Sequence, residues 1–308
     1  MGMKSFFKIK NTVGLNIGVN DLTLMAFESG RNKPKILAYS SLKLDSAKAK
    51  TSLENQDGYL EEQLRTLLTK NLVGKFDANY IFVTIPTINT FSRTLQLPIK
   101  IKNDLANAID LEVEQYIPVP RAALGISYEI INQDAENLNV SLSAAPTVIL
   151  DRVIQIARSV DLEPILIEPS MNSIARLIIN TEKGNLNTLI IDMEVSYTDI
   201  AILDKVVRVS SSIETGARHF TQAISTHLDV PPEKTQQLKV LSGFSKGNLQ
   251  DKLTEALRPP MENILTEINK IVRYNTDRLS GQSIEQVIVV GNGSNIAGLS
   301  DFLTNELR

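Results

Sequence analysis

Thr188-Leu189-Ile190-Ile191-Asp192-Met193-Glu194-Val195-Ser196-Tyr197-Thr198-Asp199-Ile200-Ala201-Ile202-Leu203 reads as strand, polar turn, strand. Val13-Gly14-Leu15-Asn16-Ile17-Gly18-Val19-Asn20-Asp21-Leu22-Thr23-Leu24-Met25-Ala26-Phe27-Glu28 reads the same way. In both, apolar residues run along the strands and a short polar cluster supplies turn chemistry. Set side by side, Asp192 falls opposite Asn16 and Glu194 opposite Gly18. The recurrence predicts two related α/β halves, with a cleft where the two turns face each other.

Around the first hairpin, Lys35–Leu44 reads as a third strand, and Gly58–Lys70 as a helix from the spacing of Tyr59, Leu60, Leu64, Leu67 and Leu68. Tyr80–Ile85 is a buried-type strand that stops at Pro86. Residues 1–89 are thus one α/β unit, rejoined over 166–182 by the end of a short strand (Pro164–Pro169) and a helix (Ser170–Asn180). Residues 90–165 read as a small inserted α+β subdomain. It holds a strand at Thr90–Leu97 and a helix at Lys102–Ile117, capped by Asn103 and ended by Pro118 and Pro120. Strands Leu124–Ile131 and Leu138–Ala144 and a helix at Thr147–Val160 complete it. Past a linker at Glu182–Asn185, the second half (183–308) adds a strand at Lys205–Ser211 and helices at Gly216–His227 and Met261–Leu279. Its last strand, Gln286–Val290, runs into the turn Gly291-Asn292-Gly293-Ser294, and a helix follows to Leu307.

Composition removes several functions. The 308 residues include no Cys, so there is no disulfide framework and no thiolate zinc site. His219 and His227 alone make neither a His-rich metal cluster nor a Cys/His protease. Lys plus Arg is 32 against 35 Asp plus Glu, a net charge of −3. With a pI near 5.6, the chain is a poor tracker of nucleic-acid phosphates. No segment approaches the roughly 18 apolar residues a membrane span needs. Phe6 and Phe7, between Lys4 and Lys8, are read as a lead-in to the first strand or an expression remnant rather than a membrane contact.

The turns suggest a chemistry. Small polar residues between two strands present N–H groups to a phosphate chain. An acidic residue at the end of the first strand can hold Mg²⁺, usually through water. A glycine turn after a later strand lets a purine lie flat against the backbone. The candidate nucleotide residues are Asn16, Gly18 and Asn20 in the first turn and Asp192, Glu194 and Ser196 in the second, with Asp192 also the metal candidate. Gly216, Gly291 and Gly293 complete the turns. Plain alternatives stand beside these. Asn16 and Gly18 can simply shape a hairpin, and Asp192 and Glu194 an exposed acidic turn. Gly291 and Gly293 can end a strand, and His219 can serve a helix start.

Several stretches carry a family resemblance: Arg93-Thr94-Leu95-Gln96-Leu97-Pro98, Glu112-Val113-Glu114-Gln115-Tyr116-Ile117-Pro118-Val119-Pro120, Ser143-Ala144-Ala145-Pro146, Thr215-Gly216-Ala217-Arg218-His219-Phe220-Thr221 and Gly291–Leu299. On these the chain resembles the actin and sugar-kinase ATPase superfamily, and within it the PilM family of type IV pilus assembly proteins, with FtsA the nearest relative outside. The resemblance implies an actin-like α/β fold of two related halves with an inserted α+β subdomain. It implies a cytoplasmic scaffold at the inner face of the cytoplasmic membrane, reaching the membrane only through partners. The implied partners are the cytoplasmic tail of a PilN-like membrane protein and the pilus motor ATPases, with no nucleic acid and with homo-oligomerisation left open. The tail is expected in a groove between the first subdomain and the insertion, with Tyr116, Ile117 and Pro118 as candidate contacts. Family members commonly continue for some tens of residues after the final helix, so a closing segment is expected beyond Arg308.

The chain also departs from the family pattern. Asp-x-Gly-Ser/Thr at the first phosphate turn reads Asn16-Ile17-Gly18-Val19, and Asp-x-Gly at the second reads Asp192-Met193-Glu194. The nucleoside-holding Ala-Glu-x-x-Lys reads Thr235-Gln236-Gln237-Leu238-Lys239, keeping only Lys239. A glutamate in a phosphate pocket repels its ligand. The expectation is therefore a pseudo-ATPase, holding at most ATP or ADP with Mg²⁺ and not hydrolysing it. A working ATPase or sugar-type kinase is the rival and needs intact turns. An FtsA-like filament protein needs a basic amphipathic C-terminal helix, which Asn295–Arg308 does not supply.

Overall fold

The computed structural model describes residues 11–28, 34–184, 186–247, 249–279 and 282–307. Phe6, Phe7 and Asn185 of the linker lie outside them.

The first hairpin is β1 (Asn11–Ile17) and β2 (Asp21–Glu28), paired from Asn11↔Glu28 to Ile17↔Leu22. β3 (Lys35–Lys43), α1 (Ser46–Glu54), α2 (Tyr59–Thr69), the short β4 (Val73–Gly74) and β5 (Tyr80–Ile85) follow. Next come β6 (Phe91–Pro98), α3 (Leu105–Tyr116), β7 (Leu124–Gln133), β8 (Asn137–Pro146) and α4 (Thr147–Arg158). β9 (Glu163–Pro169) and α5 (Ser170–Thr181) lead to the second hairpin, β10 (Thr188–Met193) and β11 (Thr198–Asp204). β12 (Val206–Ile213), α6 (Ala217–Leu228), α7 (Pro232–Leu241), α8 (Gln250–Leu279), β13 (Gln286–Val290) and α9 (Leu299–Glu306) complete the chain.

The strands form two sheets, ordered β4-β3-β2-β1-β5-β9 and β13-β10-β11-β12-β6-β8-β7. Each contains the same core. β3-β2-β1-β5 in the first corresponds to β12-β11-β10-β13 in the second, antiparallel through the hairpin and parallel at the last pair. The duplication expected from the hairpins is therefore a duplication of sheet topology.

Alternation builds the first sheet. Val13, Leu15, Ile17, Leu22, Leu24, Ala26, Ile81, Val83 and Ile85 all point to one face and are buried. They pack with Leu53 of α1, Leu60, Leu64 and Leu67 of α2, and Val153 and Ile156 of α4. In the second core, Ile200 and Ile202 pack with Phe220 and Ile224 of α6 and a long stripe from α8.

Contacts divide the described chain into two units, one within Met1–Phe91, Asp104–Ser127 and Ser143–Ser173, the other within Ser92–Asn103, Tyr128–Leu142 and Ile174–Arg308. The stretch 90–165 is thereby shared. Its helices α3 and α4 belong to the first unit, whereas most of β6, β7 and β8 extend the second sheet, where β6 meets β12 at Val209↔Arg93.

Three local readings change. The helix expected at Met261–Leu279 begins at Gln250 and runs through Pro259 and Pro260. Prolines normally stop a helix, but the buried stripe Leu253, Leu257, Met261, Ile264, Ile268, Ile271 continues across the pair at helical spacing. Packing along the whole stripe outweighs the local break. The helix expected from Lys102 starts at Leu105 after a 3₁₀ segment (Ile99–Asp104), so Asn103 does not cap it. α1 was hidden because its sequence Ser-Ala-Lys-Ala-Lys-Thr-Ser-Leu-Glu shows little apolar period, and only Ala49, Ser52 and Leu53 are buried.

At the end of α3, Ile117 keeps 7% of its surface while neighbouring Tyr116 keeps 53%. An uncompensated carboxylate at Ile117 is expected to lower unfolding free energy by about 3 kcal/mol or more. Tyr116→Ala is expected to shift it by less than about 1 kcal/mol. Denaturant unfolding of Ile117→Asp and Tyr116→Ala checks both. A wild-type midpoint for Ile117→Asp would show that the side chain is not held in the interior.

Candidate functional site

The site is built at the end of β10. Glu194 N–H donates to the Tyr197 carbonyl at 2.9 Å and closes the turn. The first residues of α6 then dock on it, Ala217 N–H donating to the Glu194 carbonyl at 2.8 Å and Arg218 N–H to that of Val195 at 2.9 Å. Two donors that a helix start would otherwise offer to an anion are thus engaged by protein. Gly216 permits this approach, since a Cβ there would lie 2.4 Å from the Glu194 oxygen. His219 Nδ1 accepts the Gly216 N–H at 2.9 Å, so this histidine serves the helix start.

The glycine turn after β13 lies against the same strand end. Gly291 has φ +82°, and a Cβ on it would come 2.4 Å from Asp192 Oδ1. A Cβ on Gly293 would meet the Met193 Cβ at 2.7 Å. Asp192 is left 5% exposed and Ser196 8%. Asn292 Nδ2 donates to Glu194 Oε2 at 3.0 Å, tying the glycine turn to the glutamate. Among the described residues, no three His, Asp or Glu side chains gather as metal ligands.

Beside this turn is a cavity of about 470 Å³, within the usual range for small-ligand sites. Its lining includes Arg218, Thr221, Gln236, Lys239 and Asn292. Lys239 is 3% exposed. Its Nζ donates to Thr221 Oγ1 at 2.9 Å and to the Ala217 carbonyl at 3.4 Å. Burial holds its pKa below the ordinary lysine value. The charged residues lining the cavity are both basic. Asp192, Glu194, Ser196, Gly216, Lys239, Gly291 and Gly293 are thus gathered in one place. Arg218, Thr221 and Asn292 were not singled out from the sequence. Only their adjacency to Gly216 and Gly291 could have pointed to them.

The nucleotide recipe fits this place in part. The cavity suits an anionic or nucleoside-sized group, whereas the turn beside it carries a carboxylate where phosphate oxygens would need donors.

The first turn is filled by its own side chains. Gly18 N–H donates to the Asp21 carbonyl at 2.9 Å, the counterpart of the Glu194–Tyr197 bond. Thr84 Oγ1 donates to Asn16 Oδ1 at 2.9 Å, and Asn16 Nδ2 donates to Asp21 Oδ1 at 3.4 Å. Both ends of the Asn16 amide are engaged. A Cβ on Gly18 would lie 2.7 Å from Asp21 Oδ1, and burial raises the Asp21 pKa. The Asn20 carbonyl accepts from Leu44 N–H at 2.8 Å.

The first unit also has a groove of about 210 Å³, lined by Ile85, Ile126, Ala144, Leu150, Ile167 and Glu168 among others. Its walls come from the two sides of the boundary between the expected first subdomain and insertion. Tyr116, Ile117 and Pro118 are not in its lining. Tyr116 and Pro118 are exposed, and Ile117 is turned inward.

Comparison with known proteins adds two findings. The model of the family "Type IV pilus assembly protein PilM" matches residues 14–308. Among solved structures, the chain is similar to one described as the PilM-PilN type IV pilus biogenesis complex. The TM-score is 0.76 at 18% identity, covering 98% of this chain and 87% of that one. It is also similar to the ethanolamine utilization protein EutJ from Carboxydothermus hydrogenoformans, with TM-score 0.51 at 14% identity, covering 98% and 83%. At these identities the structures speak for the fold alone, which is actin-like.

Lys239 has a testable signature. Its pKa is depressed in the folded state, so between that value and the ordinary 10.5 the unfolded chain binds more protons. Folding stability from this group must therefore rise as pH climbs through that window. Wild type is expected to gain stability relative to Lys239→Met as pH approaches 10.5 in paired thermal melts. A constant difference across alkaline pH would mean that the ammonium is not desolvated.

Proposed function

The chain belongs to the PilM family of type IV pilus assembly proteins, and we propose that it serves there as a scaffold binding the cytoplasmic tail of a PilN-like membrane protein. In this reading it couples that tail to the motor ATPases at the inner face of the cytoplasmic membrane. The observation that carries the reading is the family match over residues 14–308, joined to the apolar groove in the first unit. No helix among the described residues is long and apolar enough to cross a membrane. In this reading membrane contact runs through the partner.

The groove suits an extended peptide. Ile126, Leu150 and Ile167 offer apolar walls, and a Cβ on Gly125 would meet Leu150 Cδ1 at 2.4 Å, so the glycine lets that leucine pack closely against β7. β7 and β9 are edge strands of their sheets and both reach the groove, leaving main-chain groups for strand addition. The test is calorimetry with a synthetic PilN-type tail peptide. Ile126→Asp, at a partly exposed position, is expected to weaken binding at least about tenfold, the scale of losing one buried anchor. Tyr116→Ala is expected to bind as wild type. The opposite pattern would move the tail to the exposed shelf at Tyr116–Pro118.

Nucleotide binding, in this reading, is residual and hydrolysis is absent. Each lost transition-state stabiliser costs on the order of 3 kcal/mol, and Asn16, Val19 and Glu194 each depart from the phosphate-turn pattern. Steady-state phosphate release is expected at background. Glu194→Gly is expected to tighten ATP binding several-fold by removing a carboxylate beside the phosphates. Micromolar ATP affinity in the wild type, unchanged by that substitution, would show that Glu194 does not oppose the nucleotide.

A further inference from the structure

Backbone donors around the second turn are already spent within the protein. Gly216 N–H donates to His219 Nδ1 at 2.9 Å and His219 N–H to the Gly216 carbonyl at 2.9 Å. Ala217 N–H donates to the Glu194 carbonyl at 2.8 Å, Arg218 N–H to the Val195 carbonyl at 2.9 Å and Glu194 N–H to the Tyr197 carbonyl at 2.9 Å. A phosphate chain is held at such a turn by N–H groups that point at it. Five of them have acceptors of their own here.

The Glu194 carboxylate also stands one hydrogen bond from the cavity beside the turn. Its Oε2 accepts from Asn292 Nδ2 at 3.0 Å, and both Asn292 and Val195 line the cavity. A phosphate chain running from the cavity toward the turn therefore meets an anion.

Inside the cavity the chemistry is different. Lys239 is buried in its lining, with Nζ bonded to Thr221 Oγ1 at 2.9 Å. Arg218, Gln222, Gln236 and Asn292 line it from exposed positions. The cavity thus offers two cations and three side-chain amides, each amide both donor and acceptor. Val195, Ala217 and Pro232 add apolar surface. Its volume of about 470 Å³ suits a nucleoside-sized molecule.

We propose, on the reading that nucleotide binding here is residual, that this cavity selects a nucleoside carrying a single phosphate and rejects the di- and triphosphate. The amides answer the mixed donors and acceptors of a base and a ribose. One phosphate is matched by Arg218 and Lys239 through charge-assisted hydrogen bonds. A second and a third phosphate meet N–H groups that are already engaged, and the Glu194 carboxylate repels them. This is the reverse of an ATPase, which cradles the β- and γ-phosphates. A bare inorganic anion is the poorer occupant, because it leaves the three amides unused.

The test is calorimetry on the full chain with adenosine, AMP, ADP and ATP, and with the guanine series in parallel. EDTA is present, so that no metal offsets the phosphate charge. The monophosphate is expected to bind tightest and the triphosphate at least about tenfold more weakly, a modest share of the repulsion between neighbouring anions. Arg218→Gln, at an exposed position, is expected to weaken monophosphate binding about fivefold or more, the scale of losing a charge pair, while leaving the nucleoside unchanged. Glu194→Gln removes only the charge. It is expected to bring the triphosphate toward the monophosphate without altering the latter. Equal affinity for mono- and triphosphate in the wild type overturns the proposal. So does a Glu194→Gln variant that weakens every ligand alike, since the glutamate would then shape the turn rather than repel. Absence of binding heat from nucleoside and monophosphate in both series overturns it too, and leaves the scaffold reading intact. Triphosphate binding tightest, with phosphate release above background, would remove this proposal and the reading of absent hydrolysis together.

Discussion

At the end of β10, three stretches of backbone meet with no room for a side chain between them. Gly216 approaches the Glu194 carbonyl, Gly291 approaches the Asp192 carboxylate, and Gly293 lies on Met193. Alanine at any of the three would force a heavy atom into contacts under 3 Å. This contact fixes where α6 begins, because Ala217 and Arg218 donate to the turn it meets. It also sets the position of the Gly291–Ser294 turn relative to β10, beyond what the ladder through Asp192↔Val290 dictates. The cavity holding Lys239 is bounded by both. Any change in this packing displaces the whole candidate site at once.

What the sequence disclosed follows from which signals are periodic. The hairpins were legible because alternation over β1–β2 and β10–β11 is long and each turn is polar. The equivalence of Asn16 with Asp192 reappears as equivalent ladder positions, Asn16↔Thr84 and Asp192↔Val290. The parallel placement of β5 and β13 beside these strands is a long-range choice that no local pattern encodes. Local rules failed where packing outvoted them, as at Pro259 and Pro260, or where the buried face was too narrow to show a period, as in α1. The site was legible through glycines and Lys239. It was not legible in Arg218, Thr221 and Asn292, whose residue types are common and whose roles come only from where α6 and the glycine turn are held.

The separation of core from turns explains how the nucleotide motifs could depart from the pattern while the fold persists. The first core is closed by Val13, Leu15, Leu24 and Val83 against α1, α2 and α4, and none of these contacts involves Asn16, Gly18 or Asn20. The second depends on α6, α8 and α9 packing on β10 and β11. Burial of these side chains contributes about 1.5–3 kcal/mol each. Replacing a phosphate ligand in a turn removes none of that. A scaffold needs the cores and the surfaces they present, whereas catalysis needs the turns as well.

The two turns also share a detail that bears on what they can hold. In each, an asparagine amide donates to a carboxylate of the chain itself, Asn16 to Asp21 at 3.4 Å and Asn292 to Glu194 at 3.0 Å. A turn built for phosphate offers its donors to an incoming anion, but here a resident anion already takes them. Burial raises the pKa of Asp21, so its charged form is disfavoured in the first turn. A second anion about 4 Å away would add roughly 4 kcal/mol of repulsion at the dielectric of a protein surface. That is enough to cancel about three powers of ten in affinity. In the second unit the basic lining around Lys239 and Arg218 works in the opposite direction. Within the second unit, an anion in the cavity would meet Lys239 and Arg218 in its lining, with the Glu194 carboxylate, held by Asn292 at 3.0 Å, in the turn beside it.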